Sequence, residues 1–259
     1  PSHVWHQEYY KSTWSGIAGD RQYQNGPFHY FELVDNPWLR ENIIEDHGPL
    51  GALYPELEYI MEGDTPSFLN LINNGLGSHI SPSYGGWGGR YRLMQSYAEV
   101  RPIWTNARDT YRARDGSKHT TAQATIWRWR EAFQYDFAAR MDWCVMDFDD
   151  ANHNPIVVVN GNTGKDVIEM DAAPGETIQL SADGTEDPDG DRLKYFWWNY
   201  QEAGSHANPV PVTRNKRQDV RILIPEDAAG SELHFICEVR DNGDPELFAY
   251  RRIIVNVTE

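Results

Sequence analysis

Two groups of residues have the composition to do chemistry, and both fall between Ile60 and Tyr91. The first is Glu62-Gly63-Asp64, two carboxylates around a glycine, directly ahead of Thr65-Pro66. Such a pair can help to hold a hard cation or do acid–base work. Calcium takes about six to eight oxygen ligands, so a local pair supplies only a part of the shell and the rest must come from elsewhere. The second is Gly85-Gly86-Trp87-Gly88-Gly89-Arg90-Tyr91. So dense a glycine run serves neither helix nor strand, because each glycine costs backbone entropy in either element. It belongs where the main chain bends sharply or comes close to something. Trp87 and Tyr91 offer flat amphipathic faces and Arg90 a planar cation, a combination suited to a polar, ring-bearing ligand. The same run would equally serve as a buried loop plugged by Trp87.

The flanking sequence indicates what must position these groups. Residues 1 to 36 are rich in Trp, Tyr, His and Gly without a sustained period, and read as loops and short helices. Asn36-Pro37 marks a helix start with Asn36 as N-cap, and Trp38, Leu39 and Ile43 share one face until Gly48-Pro49 ends it. Leu57 to Met61 reads as a strand whose carboxyl end presents the acids, the usual ligand edge of an open α/β sheet. Thr65-Pro66 then opens a helix running to Ile72. Asn106 to Thr121 reads as a polar surface loop. The clearest helix runs from Thr121 to about Phe148, with Ile126, Trp129, Phe133, Phe137, Met141 and Cys144 as a buried core stripe; Asp136 and Arg140 lie off it.

At Asp149 to Pro155 the pattern changes to short alternating strands: Ile156–Val159, Thr177–Ser181, Lys194–Tyr200, Asp219–Ile224, His234–Arg240 and Ala249–Val257. Turn signals such as Pro174-Gly175 and Asp187-Pro188-Asp189-Gly190-Asp191 separate them. This predicts an α/β domain over 1–150 and an all-β, immunoglobulin-like sandwich over 151–259. The alternating Asp187, Asp189 and Asp191 resemble the start of a calcium loop. Trp198 stands where an EF-hand requires Glu, so a tight turn held by side-chain hydrogen bonds is the better reading. Strand alternation turns one of Trp197 and Trp198 inward, which leaves at most one for sugar stacking.

Bulk properties narrow the function. The 259 residues carry a net charge of −16, which opposes nucleic acid, anionic membrane surfaces and strongly acidic substrates as partners. Neutral sugars or glycosides fit better. The two cysteines, Cys144 and Cys237, imply no disulfide framework and read as two buried free thiols. No apolar run approaches a membrane span, and no HExxH zinc spacing, Gly-x-Ser-x-Gly elbow or phosphate-binding glycine loop occurs. The sequence opens Pro-Ser-His-Val-Trp without Met, which reads as a removed pre-segment or as the later part of a longer polypeptide.

The motifs EGDTPSFLNLINNGL, YGGWGGRY, DFAARMDWCV, ANHNP, DGTEDPDGDRLKYFWWNYQEAG and EVRDNGDP, with the closing YRRIIVNV, resemble those of the cellulose-binding, nucleoside-hydrolase-like bacterial proteins with an immunoglobulin-like C-terminal domain. The resemblance implies the C-terminal part of a Rossmann-like nucleoside-hydrolase domain followed by a sandwich, in a periplasmic or secreted protein. It implies a carbohydrate or glycoside as ligand and calcium as cofactor. Asp64 matches the later aspartate with which nucleoside hydrolases hold metal and sugar hydroxyls. Glu62, Asp64, Trp87, Arg90 and Tyr91 would bind the sugar. Gly63 stands where those enzymes usually have His. Their early aspartate-rich strand, with the presumed general base, has no counterpart in residues 1 to 59, so no catalytic residue is assigned here. An N-terminal fragment of the same protein, or an equivalent partner chain, is expected to supply it. A non-catalytic cellulose-binding protein is the alternative.

Overall fold

The computed structural model describes residues 30–58, 62–94, 103–113 and 116–259. The chain divides into two compact units, one of residues 1–72 and 78–151, the other of Asn73–Gly77 with Asn152–Glu259.

The first unit mixes short helices with antiparallel strand pairs. Helix α1 (Asn36–Leu39) is capped by Asp35, whose carboxylate accepts from Trp38 N at 3.1 Å, one residue earlier than the expected Asn36. Asn36 is engaged elsewhere, exchanging hydrogen bonds with the backbone of Leu57. The helix continues with wider, π-type winding through Arg40–Ile44. It buries Leu39 and Ile43 against Ala138 and Met141, with Trp38, Tyr54, Leu57 and Phe137 packed around them. Helix α2 (Gly48–Gly51) follows, and α3 (Thr65–Leu69) is the helix that Thr65-Pro66 predicts, ending at Asn70 rather than Ile72. Of the strand expected over Leu57 to Met61, Leu57 and Glu58 are in no strand and 59–61 lie outside the described residues, as does nearly all of the stretch 1–36.

Strands β1 (Tyr91–Met94) and β2 (Ile103–Asn106) pair antiparallel, as do β3 (Asp109–Arg112) and β4 (Lys118–Thr121). Among the described residues of this unit there is no parallel pair. The β3–β4 hairpin corrects the surface loop expected over 106–121: the stretch is polar on both faces, so it lacks the apolar alternation that signals a strand, yet Thr110 and Thr120 face each other with their hydroxyls 2.9 Å apart. The single long helix is also corrected. It is two, α4 (Ala124–Trp127) and α5 (Arg130–Asp142), separated at Arg128-Trp129. The stripe of Ile126, Trp129, Phe133 and Met141 is buried as expected, but Cys144, past the end of α5, is exposed.

The second unit is two sheets around one core. β5 (Ile168–Ala172), β10 (Phe248–Val257), β9 (Glu232–Arg240) and β7 (Lys194–Asn199) lie side by side in that order, and β6 (Thr177–Ser181) pairs with β8 (Asp219–Leu223). All pairs are antiparallel except β10 with β5. Ile178, Leu180, Val220 and Ile222 from the small sheet meet Trp197, Phe235, Cys237, Ile253 and Val255 from the large one. Trp197 is thus the inward member of its pair, while Trp198 lies beside Tyr200 with ring centroids 5.1 Å apart. The strand expected at Ile156–Val159 is reduced to isolated bridges, and β5 had no expectation. The acidic turn is held as expected: Asp187 Oδ1 accepts from Asp189 N and Asp191 N, each at 3.0 Å.

The segment Asn73–Gly77 extends the large sheet. Tyr250 N donates to Asn74 O at 3.2 Å and Arg252 N to Gly75 O at 3.0 Å. The fully buried Arg252 side chain donates to Leu76 O at 2.5 Å and lies over Tyr200, with His234 Nδ1 2.8 Å away. Gly75 has φ +93, and a Cβ there would fall 1.8 Å from Tyr250 O, so only glycine fits.

Candidate functional site

The glycine run braces a helix. Gly88 passes so close to α3 that a Cβ would fall 1.7 Å from Pro66 O, and Gly89 adopts φ +88. Asn70, just past α3, ties the two together: its Oδ1 accepts from Gly88 N at 3.1 Å and its Nδ2 donates to Gly89 O at 3.3 Å. The close approach that the glycines permit is therefore to the helix that follows Glu62 and Asp64.

The remaining residues of this stretch face inward. Trp87 is 2% exposed and Tyr91 8%. Burial pushes the Tyr91 hydroxyl up to about 12. Arg90 Nε donates to Asp109 Oδ1 at 2.7 Å, and Arg128 Nη1 donates to Asp109 Oδ2 at 2.9 Å. Asp109 is fully buried and both guanidinium side chains are nearly so. A carboxylate between two arginines is a strong, charge-assisted junction, fixing the glycine run to β3 and to the end of α4.

Glu62 points the other way. It lines a cleft of about 420 Å³ together with Thr65, Phe68, Phe137, Asp136 and Arg140, within the size range of small-molecule sites. Its carboxylate accepts from Tyr54 Oη at 2.6 Å and from the Thr65 hydroxyl, so its orientation is set from behind. Burial, and then the bond to Glu62, push the Tyr54 hydroxyl well above its ordinary range, which keeps it a donor. Arg140 Nε and Asp136 Oδ2 form a pair at 2.6 Å along α5, with Asp136 nearly buried and Arg140 half exposed. The Phe68 ring is 63% exposed. An open aromatic face beside two carboxylates and a guanidinium can stack on a sugar ring and exchange hydrogen bonds with its hydroxyls.

Of the residues that the sequence singles out, Glu62 alone lines this cleft. Asp64 is exposed at the start of α3, where its side chain makes no capping bond. Phe68, Asp136 and Arg140 were not singled out. The signal available for two of them was the Asp136–Arg140 spacing of four, off the core stripe of α5. Among the described residues no group of three or more His, Cys, Asp or Glu could hold a metal ion. With Asp64 exposed and not lining the cleft of Glu62, the described residues do not assemble the oxygen shell that calcium takes.

A two-unit protein with a ligand-sized cleft in its mixed α and β unit is what these observations define. Two family models match the chain: "cellulose-binding Sde182, nucleoside hydrolase-like domain" over residues 1–91, and "cellulose-binding protein Sde0182, C-terminal domain" over residues 177–257. The chain belongs to this Sde182 family. Among solved structures it is similar to a nucleoside hydrolase-related hypothetical protein from Saccharophagus degradans that is associated with carbohydrate metabolism. The identity is 36% and the TM-score 0.72, over 86% of this chain and 54% of that one, so this chain spans about half of that protein's length. The PKD domain from the KIAA 1837 protein matches at 12% identity and TM-score 0.27, covering 38% of this chain and 95% of that one. Human CDH23 EC21-23 matches at 19% and 0.29, covering 44% and 37%. At such scores neither bears on function. No curated protein matches.

Proposed function

We propose that this chain binds carbohydrate, with a cellulose-type β-glucan as the ligand class, through the cleft between α3 and α5. The observation that carries the reading is the exposed Phe68 ring beside Glu62, Asp136 and Arg140 in one cleft. The family's printed description and the carbohydrate association of the Saccharophagus degradans protein support it. In this reading the first unit is part of a Rossmann-like nucleoside-hydrolase fold and the second an immunoglobulin-like sandwich. Among the described residues no helix is long and apolar enough to cross a membrane. A polymer ligand of this kind is met outside the cytoplasm, so the proposed location is periplasmic or secreted.

Each contact has a defined role. Phe68 supplies the apolar face for a pyranose ring. Glu62 and Asp136 accept hydrogen bonds from its hydroxyls, and the half-exposed guanidinium of Arg140 donates to ring or glycosidic oxygens. Depletion of the chain from solution by microcrystalline cellulose tests the reading. Phe68→Ala and Glu62→Gln are expected to reduce depletion; retention equal to wild type in both would overturn it.

A calcium-assisted glycoside or N-glycoside hydrolase is the second reading, favoured by the Glu62-Gly63-Asp64 motif and the nucleoside hydrolase-like family description. Asp64 would supply one ligand, with the others and the general base coming from outside the described residues, such as an N-terminal segment or a partner chain. Release of reducing ends or free base that is abolished by chelation and by Asp64→Ala would establish it. Binding without turnover would leave the first reading in place.

A further inference from the structure

The β6–β8 sheet of the second unit has an outer face that the cleft does not explain. Its inner residues, Ile178, Leu180, Val220 and Ile222, belong to the core, so Gln179, Ser181, Asp219 and Arg221 point outward by alternation. The chain borders this pair on both sides. Asn160 exchanges backbone and side-chain hydrogen bonds with Ser181 at 2.8 Å, and Thr213 bridges Arg221. The outcome is an open, polar trough of about 770 Å³ lined by Asn160, Gln179, Ser181, Arg214, Asp219 and Arg221. A second hollow of about 830 Å³, lined by Arg214 to Asp219, shares its edge.

The charge here is opposite to that of the whole chain. Between Thr213 and Arg221 stand Arg214, Lys216, Arg217 and Arg221 against the single carboxylate Asp219, in a protein of net charge −16. All four cations are exposed, and none forms an ion pair among the described residues. With its amide oxygen turned toward Arg221, Gln179 accepts from Nε at 2.9 Å and Nη2 at 3.1 Å, which holds that guanidinium in place. Two of the four described non-glycine residues with positive φ, Asn160 at 50 and Arg214 at 54, line this same trough. Asparagine adopts that conformation readily, whereas arginine does so at a cost and marks a constrained turn.

We propose that this face is a second binding site, for an anionic polysaccharide of the uronate type. Its carboxylates would meet Arg214, Lys216 and Arg217. Its hydroxyls would meet the Gln179 amide, the Ser181 hydroxyl and the Asp219 carboxylate, which accepts hydroxyl protons. The net charge of the chain opposes polyanions on average, but screening confines each interaction to about 10 Å at 0.1 M salt, so the local sign decides contact. Single exposed ion contacts are weak; several along one polymer add through effective concentration. Single-stranded nucleic acid, another polyanion, is disfavoured because among the described residues no aromatic side chain lines the trough to stack on bases.

Affinity electrophoresis of the whole chain in native gels, with mobilities taken relative to a polymer-free gel, tests this. Polygalacturonate is expected to retard the wild type, and the retardation should fade with added salt. Combined Arg214→Gln, Lys216→Gln and Arg217→Gln should weaken it about tenfold. Lys216→Gln alone should weaken it partially, Lys165→Gln not at all, and depletion by cellulose should be unchanged in each. Absence of retardation, or equal retardation of the triple variant with an unchanged circular dichroism spectrum, would overturn the proposal. Equal retardation by single-stranded DNA of matched charge would overturn the assignment to a saccharide. The cellulose-depletion readout separates this failure from failure of the cleft reading.

Discussion

Replacing Asp109 by Asn removes the charge that two arginines share while changing the side chain's size hardly at all. Asp109 is fully buried, with Arg90 11% and Arg128 12% exposed, and its two oxygens accept at 2.7 and 2.9 Å from the two guanidinium groups. An asparagine can accept from one of them only, and its NH₂ then faces the other. Two nearly buried cations lose the carboxylate they share, and breaking a buried pair in this way costs about 3–5 kcal/mol. For a unit of this size each kcal/mol lowers Tm by about 2–4 °C, so the transition of the first unit should fall by about 10 °C. Differential scanning calorimetry measures it, with the second unit's transition as an internal reference. Arg128→Met added to Asp109→Asn should restore part of the loss, since it removes one of the two buried charges. A fall of less than about 2 °C would refute the assignment of the Arg90–Asp109–Arg128 junction as what fixes the glycine run.

Three further outcomes follow from the geometry. Gly75→Ala places a methyl 1.8 Å from Tyr250 O at φ +93, and should destabilise the second unit by more than about 2 kcal/mol in urea unfolding. Burial, which outweighs hydrogen bonds from Leu247, Gly243 and Asn152, pushes the Asp241 carboxyl from 3.8 up to about 6. Because the folded state then binds this proton more tightly than the unfolded chain, the group's contribution is full below its ordinary value and is lost as pH rises through about 6. Wild type should therefore lose stability relative to Asp241→Asn across that window, and a pH-independent difference would refute the shift. Exposed Cys144 should react with a thiol reagent in the native protein. Cys237, whose thiol is buried and pushed up by that burial, should react only after unfolding.

The strands of the second unit were legible because their alternation is strong: Thr177–Ser181 coincides with β6, and the expected limits of β7 to β10 lie within two residues of those found. β5 was not, although Ile168, Met170 and Ala172 alternate with Glu169 and Asp171, because Glu, Asp and Ala are poor strand formers and the strand sits at the sheet edge beside β10. In the first unit, the aromatic stripe gave the buried face of α5 but could not show the break at Arg128-Trp129, where both sides of the break retain helical periodicity. The need for glycine at Gly88 was legible from composition; its partner, Pro66 O, was not, since a close approach names no counterpart in sequence. Of the candidate site, Glu62 was legible from its motif. Phe68, Asp136 and Arg140 were hidden because the cleft joins α3 to α5, elements separated by some sixty residues of chain, and only folding brings them together.

The claim that matters most is that the cleft beside Glu62 and Phe68 holds sugar. Isothermal titration of the chain with cellohexaose, for wild type and for Phe68→Ala and Glu62→Gln, tests it most directly. Saturable binding by wild type is expected, weakened about tenfold by loss of the aromatic face. Glu62→Gln should weaken it less, because the amide retains one acceptor oxygen. No binding by wild type, or undiminished binding by both variants, would contradict it.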